Sequence, residues 1–169
     1  RAKSYLLFKP PFMSEGDALQ HTTKWIREIA EDSDEISVNP MNIQKRTIVD
    51  RIFRNREYRP PWLWSLVQMI RDVHSDIHPE GGDASTRLIV HPTAAGSIRG
   101  AHNCGRCDKE VAAAIERYSV SGSLLDFEGL TCECESRWSA EIALDTSLPI
   151  PLGSGLDRRL SPVEALLSP

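Results

Sequence analysis

The chain has 169 residues, 40% of them hydrophobic and 26% charged, with a formal net charge of −4 from 20 basic and 24 acidic side chains. These values suit one soluble domain with a small appendage and exclude wholesale disorder, collagen-like repeats and long coiled coils. Apolar runs such as Leu88-Ile89-Val90 are far too short to span a bilayer, so no membrane partner is expected, and the acidic balance argues against binding nucleic acid through bulk positive charge.

Arg1-Ala2-Lys3-Ser4 leads straight into the strand-like run Tyr5-Leu6-Leu7-Phe8. A secretory leader would carry an apolar core of about 7–15 residues and a small-residue cleavage site. The expected location is therefore cytoplasmic, and the abrupt start reads as a cut just before an internal strand. The first strand, from Tyr5 to Lys9, ends at Pro10-Pro11, which cannot continue a ladder. Ser14 is an expected N-cap, with Asp17 three residues on. The helix that follows places Ala18, Leu19, Thr22, Trp25, Ile26, Ile29 and Ala30 on one apolar stripe, with Lys24, Arg27, Glu28 and Glu31 facing water.

A second strand, from Glu35 to Asn39, ends in Asn39-Pro40-Met41-Asn42. A helix from Thr47 to Asn55 carries Ile48, Val49, Ile52 and Phe53 on one face. After Pro60-Pro61 a longer helix is expected from Trp62 to Ile77, burying Leu63, Leu66, Val67, Ile70 and Val73. Glu80-Gly81-Gly82-Asp83 reads as a turn, and Thr86 to His91 as a third strand. Strands alternating with amphipathic helices predict βαβ units and a parallel sheet. Three strands neither close a barrel nor bury both faces of an open sheet, so this α/β segment reads as part of a larger one. Beyond Pro92 come a glycine-containing loop, a helix from Asp108 to Tyr118, and a strand or loop from Ser123 to Leu130. From residue 145 a Pro/Gly-rich tail is expected to be disordered, apart from a short helix beginning at Ser161-Pro162.

All four cysteines fall in two close pairs, Cys104-x2-Cys107 and Cys132-x-Cys134. Structural zinc takes four tetrahedral ligands, commonly two from each of two tight turns, and Gly105-Arg106 suits such a turn. A cytoplasmic chain rarely keeps disulfides, which leaves free thiols or an iron–sulfur cluster as the alternatives to zinc. His102 is either a fifth ligand candidate or an ordinary loop histidine. No Walker-type loop, nucleophile elbow or HExxH motif is present.

Ligands of parallel α/β sheets bind beyond the carboxyl ends of the strands. There the chain places Lys9, then Asn39, Asn42 and Gln44, then His91, a set able to supply a cation and paired donors and acceptors to a cofactor or substrate. Between Lys45 and Arg59 lie six basic residues, among them Lys45, Arg46, Arg51 and Arg54. Tyr58, Trp62 and Trp64 follow, so the stretch reads either as a phosphate-contacting, base-stacking surface or as an exposed helix face beside core tryptophans.

Several of these segments resemble one family. Phe8-Lys9-Pro10-Pro11-Phe12-Met13-Ser14-Glu15-Gly16-Asp17-Ala18, Asn39-Pro40-Met41-Asn42-Ile43-Gln44 and Glu57-Tyr58-Arg59-Pro60-Pro61-Trp62-Leu63-Trp64 are similar to the second half of radical S-adenosylmethionine (radical-SAM) enzymes of the Elp3-like group. Arg99-Gly100-Ala101-His102-Asn103-Cys104-Gly105-Arg106-Cys107-Asp108, followed by Cys132-Glu133-Cys134 and Trp138, resembles the archaeal members that act in archaeosine biosynthesis. The resemblance covers residues 4 to 144 and implies the C-terminal half of a (βα) radical-SAM-type partial barrel over residues 1–95. A four-cysteine, zinc-like module over 96–144 and the tail over 145–169 complete the expected organisation.

The resemblance also implies S-adenosylmethionine and a [4Fe–4S] cluster as cofactors of the whole enzyme. The implied partners are tRNA, the missing N-terminal half of the barrel and an archaeosine synthase. The implied reaction is radical cleavage of a lysine adduct on a deazaguanine base of tRNA, leaving archaeosine. The cluster motif Cys-x3-Cys-x2-Cys is absent from these 169 residues, so the chain is expected to be inactive alone. The alternative is a non-enzymatic, zinc-stapled module that binds tRNA or serves as an assembly partner.

Overall fold

The computed structural model describes residues 2–78 and 86–147. Three strands, β1 (Lys3–Phe8), β2 (Glu35–Pro40) and β3 (Arg87–Val90), form a parallel sheet in the order β1-β2-β3. The connections are helical, as parallel pairing requires. Helix α1 (Glu15–Ile29) joins β1 to β2; α2 (Ile48–Arg54) and α3 (Leu63–Ile77) lie between β2 and β3. Three further elements follow: α4 (Asp108–Ser121), a 3₁₀ turn (Leu124–Phe127) and α5 (Cys134–Ser147). The turn expected at Glu80–Asp83, and the tail with its helix at Ser161-Pro162, lie outside the described residues apart from the end of α5. No helix among the described residues is long and apolar enough to cross a membrane.

The local signals act as expected. Ser14 Oγ accepts the Asp17 N–H at 3.1 Å and starts α1, and Thr47 Oγ1 accepts the Asp50 N–H at 3.2 Å and starts α2. Gly122 ends α4 in the left-handed conformation that glycine adopts without penalty. One expectation needs correction. Trp25 is half exposed and does not join the buried stripe of α1, which runs through Ala18, Thr22, Ile26 and Ala30. Between Ser123 and Leu130 no strand forms, and the loop alternative holds with a 3₁₀ turn at Leu124–Phe127, where Ser123 Oγ caps the Leu125 N–H and Phe127 packs beneath Tyr118 with ring centroids 5.5 Å apart.

The sheet has two unlike faces. Leu6, Phe8, Ile36, Val38, Leu88 and Val90 point into a core shared with α1, α3 and α4, which continues to Cys107 and Cys134. The opposite face carries Tyr5 and Leu7, 67% and 51% exposed, beside Ser37, Asn39 and Ile89, with an ion-paired row of Lys3, Glu35 and Arg87 at one rim. All-parallel sheets are normally covered on both faces.

The two edges differ as well. At β3 the Ser119 hydroxyl accepts the Val90 N–H at 2.9 Å and donates to the Val90 carbonyl at 3.0 Å, so α4 seals that edge. Among the described residues no strand pairs with the outer edge of β1.

Candidate metal centre and adjoining cleft

The Cys104–Cys107 knuckle is shaped by the first residue of α4. Asp108 Oδ1 accepts the Asn103 N–H at 2.7 Å and Oδ2 accepts the Gly105 N–H at 3.1 Å, while Gly105 takes φ +89°. The second pair comes from the approach to α5, with Cys134 as that helix's first residue. The four Sγ atoms lie within 4.8 Å of one another, with Cys104 and Cys132 3.7 Å apart and Cys107 and Cys134 3.6 Å apart. A tetrahedral ion bonded to sulfur at about 2.3 Å has thiolates about 3.8 Å apart, so the set is sized for one ion. A four-iron cluster spreads its thiolates over four different metal atoms and needs them wider apart. These four do not fit it.

The sulfurs sit in unlike surroundings. Backbone N–H donation from Arg106, joined by that of Cys107, brings the exposed Cys104 thiol down to about 6. Burial pushes Cys107 and Cys134 up. Asn103 Nδ2–H donates to Cys107 Sγ and Trp64 Nε1–H donates to Cys134 Sγ, both at 3.3 Å. Hydrogen bonds of this kind steady a ligand and tune its basicity. His102 is no part of the thiol set: its Nδ1 lies 2.8 Å from the Gly100 carbonyl, and burial lowers its pKa.

Helix α5 carries the centre toward a cleft of about 390 Å³ at the carboxyl end of β1. Its floor is a buried ion pair, with Lys9 Nζ 2.5 Å from Glu15 Oε2, while Glu15 Oε1 accepts the Trp62 N–H at 2.9 Å. Tyr58 OH donates to the Lys9 carbonyl at 2.7 Å. Lys9 and Phe12, on either side of Pro10-Pro11, have φ +54° and +74°, a conformation that costs non-glycine residues free energy and often marks functional loops. Glu141 and Asp145 of α5 form one wall; Glu141 accepts the Trp62 Nε1–H at 3.0 Å and Asp145 accepts the Gly16 N–H at 3.0 Å. Arg59 lies 3.9 Å over the Trp62 ring and donates to the carbonyls of Pro60 and His102.

Of the residues singled out in the sequence, Lys9 lines this cleft, and its ammonium is paired with Glu15. Asn39 and Asn42 are half-buried and Gln44 is exposed. His91 sits apart from Lys9, in a shallower hollow beside Gly96, Asp108 and Lys109. Lys45, Arg46, Arg51 and Arg54 are exposed. Arg54 pairs with the buried Asp50, whose carboxyl falls to about 2 because the Arg46 N–H, Arg99 and Arg54 surround it. Tyr58, Trp62 and Trp64 are 8%, 3% and 3% exposed, so they are core side chains and are not free to stack on bases. Sequence reading left out Glu15, Glu141 and Asp145; Glu15 and the Tyr58–Trp64 stretch lay within the segments that carry the family resemblance.

Fold and site together define an α/β chain with a three-stranded parallel sheet and four cysteines gathered closely enough to hold one metal ion. Its sequence is similar to Archaeosine synthase subunit beta of Methanosarcina acetivorans, 36% identical over 143 residues, which are 85% of this chain and 40% of that protein. The protein of the same name from Thermococcus kodakarensis is 37% identical over 139 residues, 82% of this chain and 41% of that protein. An uncharacterized protein of Methanocaldococcus jannaschii is 28% identical over 155 residues, 89% of this chain and 40% of that protein. The chain thus spans about two-fifths of the length of the curated relatives it matches. No family model and no solved structure matches it.

Proposed function

We propose that this chain is the substrate-side part of an enzyme forming archaeosine in tRNA, built as the C-terminal half of a radical-SAM-type partial barrel and stapled by zinc. The observation that carries the reading is the unfinished sheet: among the described residues Tyr5 and Leu7 stand exposed on the face where Ser37 and Ile89 are buried, and no strand pairs with the outer edge of β1, while Ser119 seals the other edge. Further parallel strands added at β1 would cover Tyr5 and Leu7 and curve the sheet toward a barrel. The matched relatives, which are much longer, support this, and their name supports archaeosine and a second subunit as partner. Residues 1–95 then belong to the barrel and 96–144 to the zinc module.

S-adenosylmethionine on a [4Fe–4S] cluster, when bound, supplies a 5′-deoxyadenosyl radical, and both belong to the part that completes the sheet. This chain's own residues act on the substrate. Asn39, Asn42, Gln44 and His91 present hydrogen-bonding groups at or just beyond the carboxyl ends of the strands, toward the lysine-bearing deazaguanine. The Lys9–Glu15 pair holds the β1–α1 loop. Cys104, Cys107, Cys132 and Cys134 hold zinc in a closed, structural site, and the exposed Lys45, Arg46, Arg51 and Arg54 meet tRNA phosphates.

Deleting the coding region in its host and analysing digested tRNA by mass spectrometry tests the assignment. Loss of archaeosine, restored by the intact gene, is expected; archaeosine at the parental level refutes it. Metal analysis should return one zinc per chain, whereas iron with a brown chromophore overturns the zinc reading. The exposed basic run also supports the non-enzymatic alternative, a tRNA-binding module. In a gel-shift titration at two salt concentrations, affinity falls with salt if phosphates are contacted, and no binding at low salt rules that module out.

A further inference from the structure

Helix α5 gives few side chains to the core: Cys134 is buried in it and Trp138 packs against it half-buried. At 14 residues it is near the length at which an isolated helix is marginal in water, and among its described side chains Cys134 alone is fully buried. Polar contacts tie it to the start of α3 and of α1. Trp64 Nε1–H donates to Cys134 Sγ, Trp138 Nε1–H donates to Ser65 Oγ at 2.8 Å, Trp62 Nε1–H donates to Glu141, and the Gly16 N–H donates to Asp145. Residues 134, 138, 141 and 145 follow the three- and four-residue spacing of one helical face. That face carries a thiol of the metal centre at one end and two carboxylates of the cleft along the next ~16 Å, at 1.5 Å rise per residue.

We propose that metal loading at the four cysteines sets the wall of the cleft. Ligation fixes Cys134 and with it α5, which holds Glu141 and Asp145 in place. Trp64 and Asn103 are positioning residues that act through the sulfurs of Cys134 and Cys107. The proposal rests on the reading of the four thiols as a metal site and extends it to the cleft. Its physical basis is leverage: a helix with few apolar anchors takes its position from its strongest attachment, and a metal–thiolate bond is far stronger than an indole hydrogen bond.

Amide hydrogen exchange on the full chain, stripped with a chelator and then reloaded with one equivalent of zinc, tests the coupling. Zinc is expected to slow exchange at least tenfold across α5 and at the Gly16 amide, and to leave the core of α3 unchanged. Chelator competition then measures zinc affinity in W64F and N103D, which remove one N–H donor each. Asn103→Asp keeps the acceptor for the Trp64 N–H, 3.3 Å away. Each is expected to weaken zinc binding by about 10–100-fold, with W25F, at the exposed tryptophan, unchanged. If zinc binds while α5 and Gly16 exchange alike with and without it, the coupling is overturned and the metal site stands. If zinc does not bind, both fall. Wild-type affinity in W64F and N103D removes their positioning role.

Discussion

Replacing Lys9 by methionine probes the floor of the cleft. Lys9 is 5% and Glu15 1% exposed, and the pair is 2.5 Å apart. Methionine preserves much of the side chain's bulk but leaves the Glu15 carboxylate in the core with the Trp62 N–H as its remaining hydrogen-bond donor. Stranding one member of a buried pair costs about 3–5 kcal/mol, against about 0–1 for an exposed pair. At about 2–4 °C per kcal/mol for a chain of this size, the melting temperature should fall by roughly 6–20 °C. Urea unfolding followed by tryptophan fluorescence measures the loss directly, because Trp62 and Trp64 are buried, and an unchanged m value confirms that stability alone has moved. Adding Glu15→Gln removes the stranded charge and keeps an acceptor for the Trp62 N–H. The double variant should therefore recover more than about 1 kcal/mol relative to Lys9→Met. A double variant no more stable than the single one, or a single variant costing less than about 1 kcal/mol, refutes this account.

Three further outcomes follow from the packing. A Cβ added at Gly100 would lie 2.3 Å from the Ala94 carbonyl oxygen, which is backbone, so G100A should destabilise by about 1–3 kcal/mol in thermal unfolding; a neutral result would mean the loop moves freely. S119A strands the Val90 N–H and carbonyl at the sealed edge and should cost about 1–3 kcal/mol, with faster amide exchange at Val90 as its local signature. Asp50, held down at about 2 from an ordinary 3.8, contributes stability above pH 4 that is lost as the pH falls toward 2. In acid titrations followed by circular dichroism, D50N should therefore show a shallower loss of stability across that window, and an identical slope counts against the Asp50 network.

Strands β1 to β3 and helices α1 to α4 were legible because each has a local signal: Ser14 and Thr47 as caps, prolines after the strands, and apolar spacing along α1 and α3. Trp25 misled because one large side chain at a core-spaced position does not show whether anything lies opposite it. Helix α5 carries no such signal, for a different reason. Its attachment runs through indole N–H groups, a thiol and two carboxylates, none of which leaves an apolar stripe in the sequence. The four cysteines were legible from spacing, and their convergence follows from the Asp108 turn and the start of α5. The cleft was half legible. Lys9 stood out, but Glu15 read as a residue of the first helical turn, and Glu141 and Asp145 belong to the unrecognised helix.

The hydrogen bond from Gly16 to Asp145 joins positions 129 residues apart. During synthesis, α1 and the three strands leave the ribosome well before the carboxylate that accepts the Gly16 N–H has been made. Closing so large a loop is entropically costly, although the cost grows only with the logarithm of its length. The α5 wall of the cleft therefore forms only after α1 and the sheet strands have been made, and a nascent chain ending between residues 135 and 144 has its sheet strands and all four cysteines while Asp145 is still missing from that side.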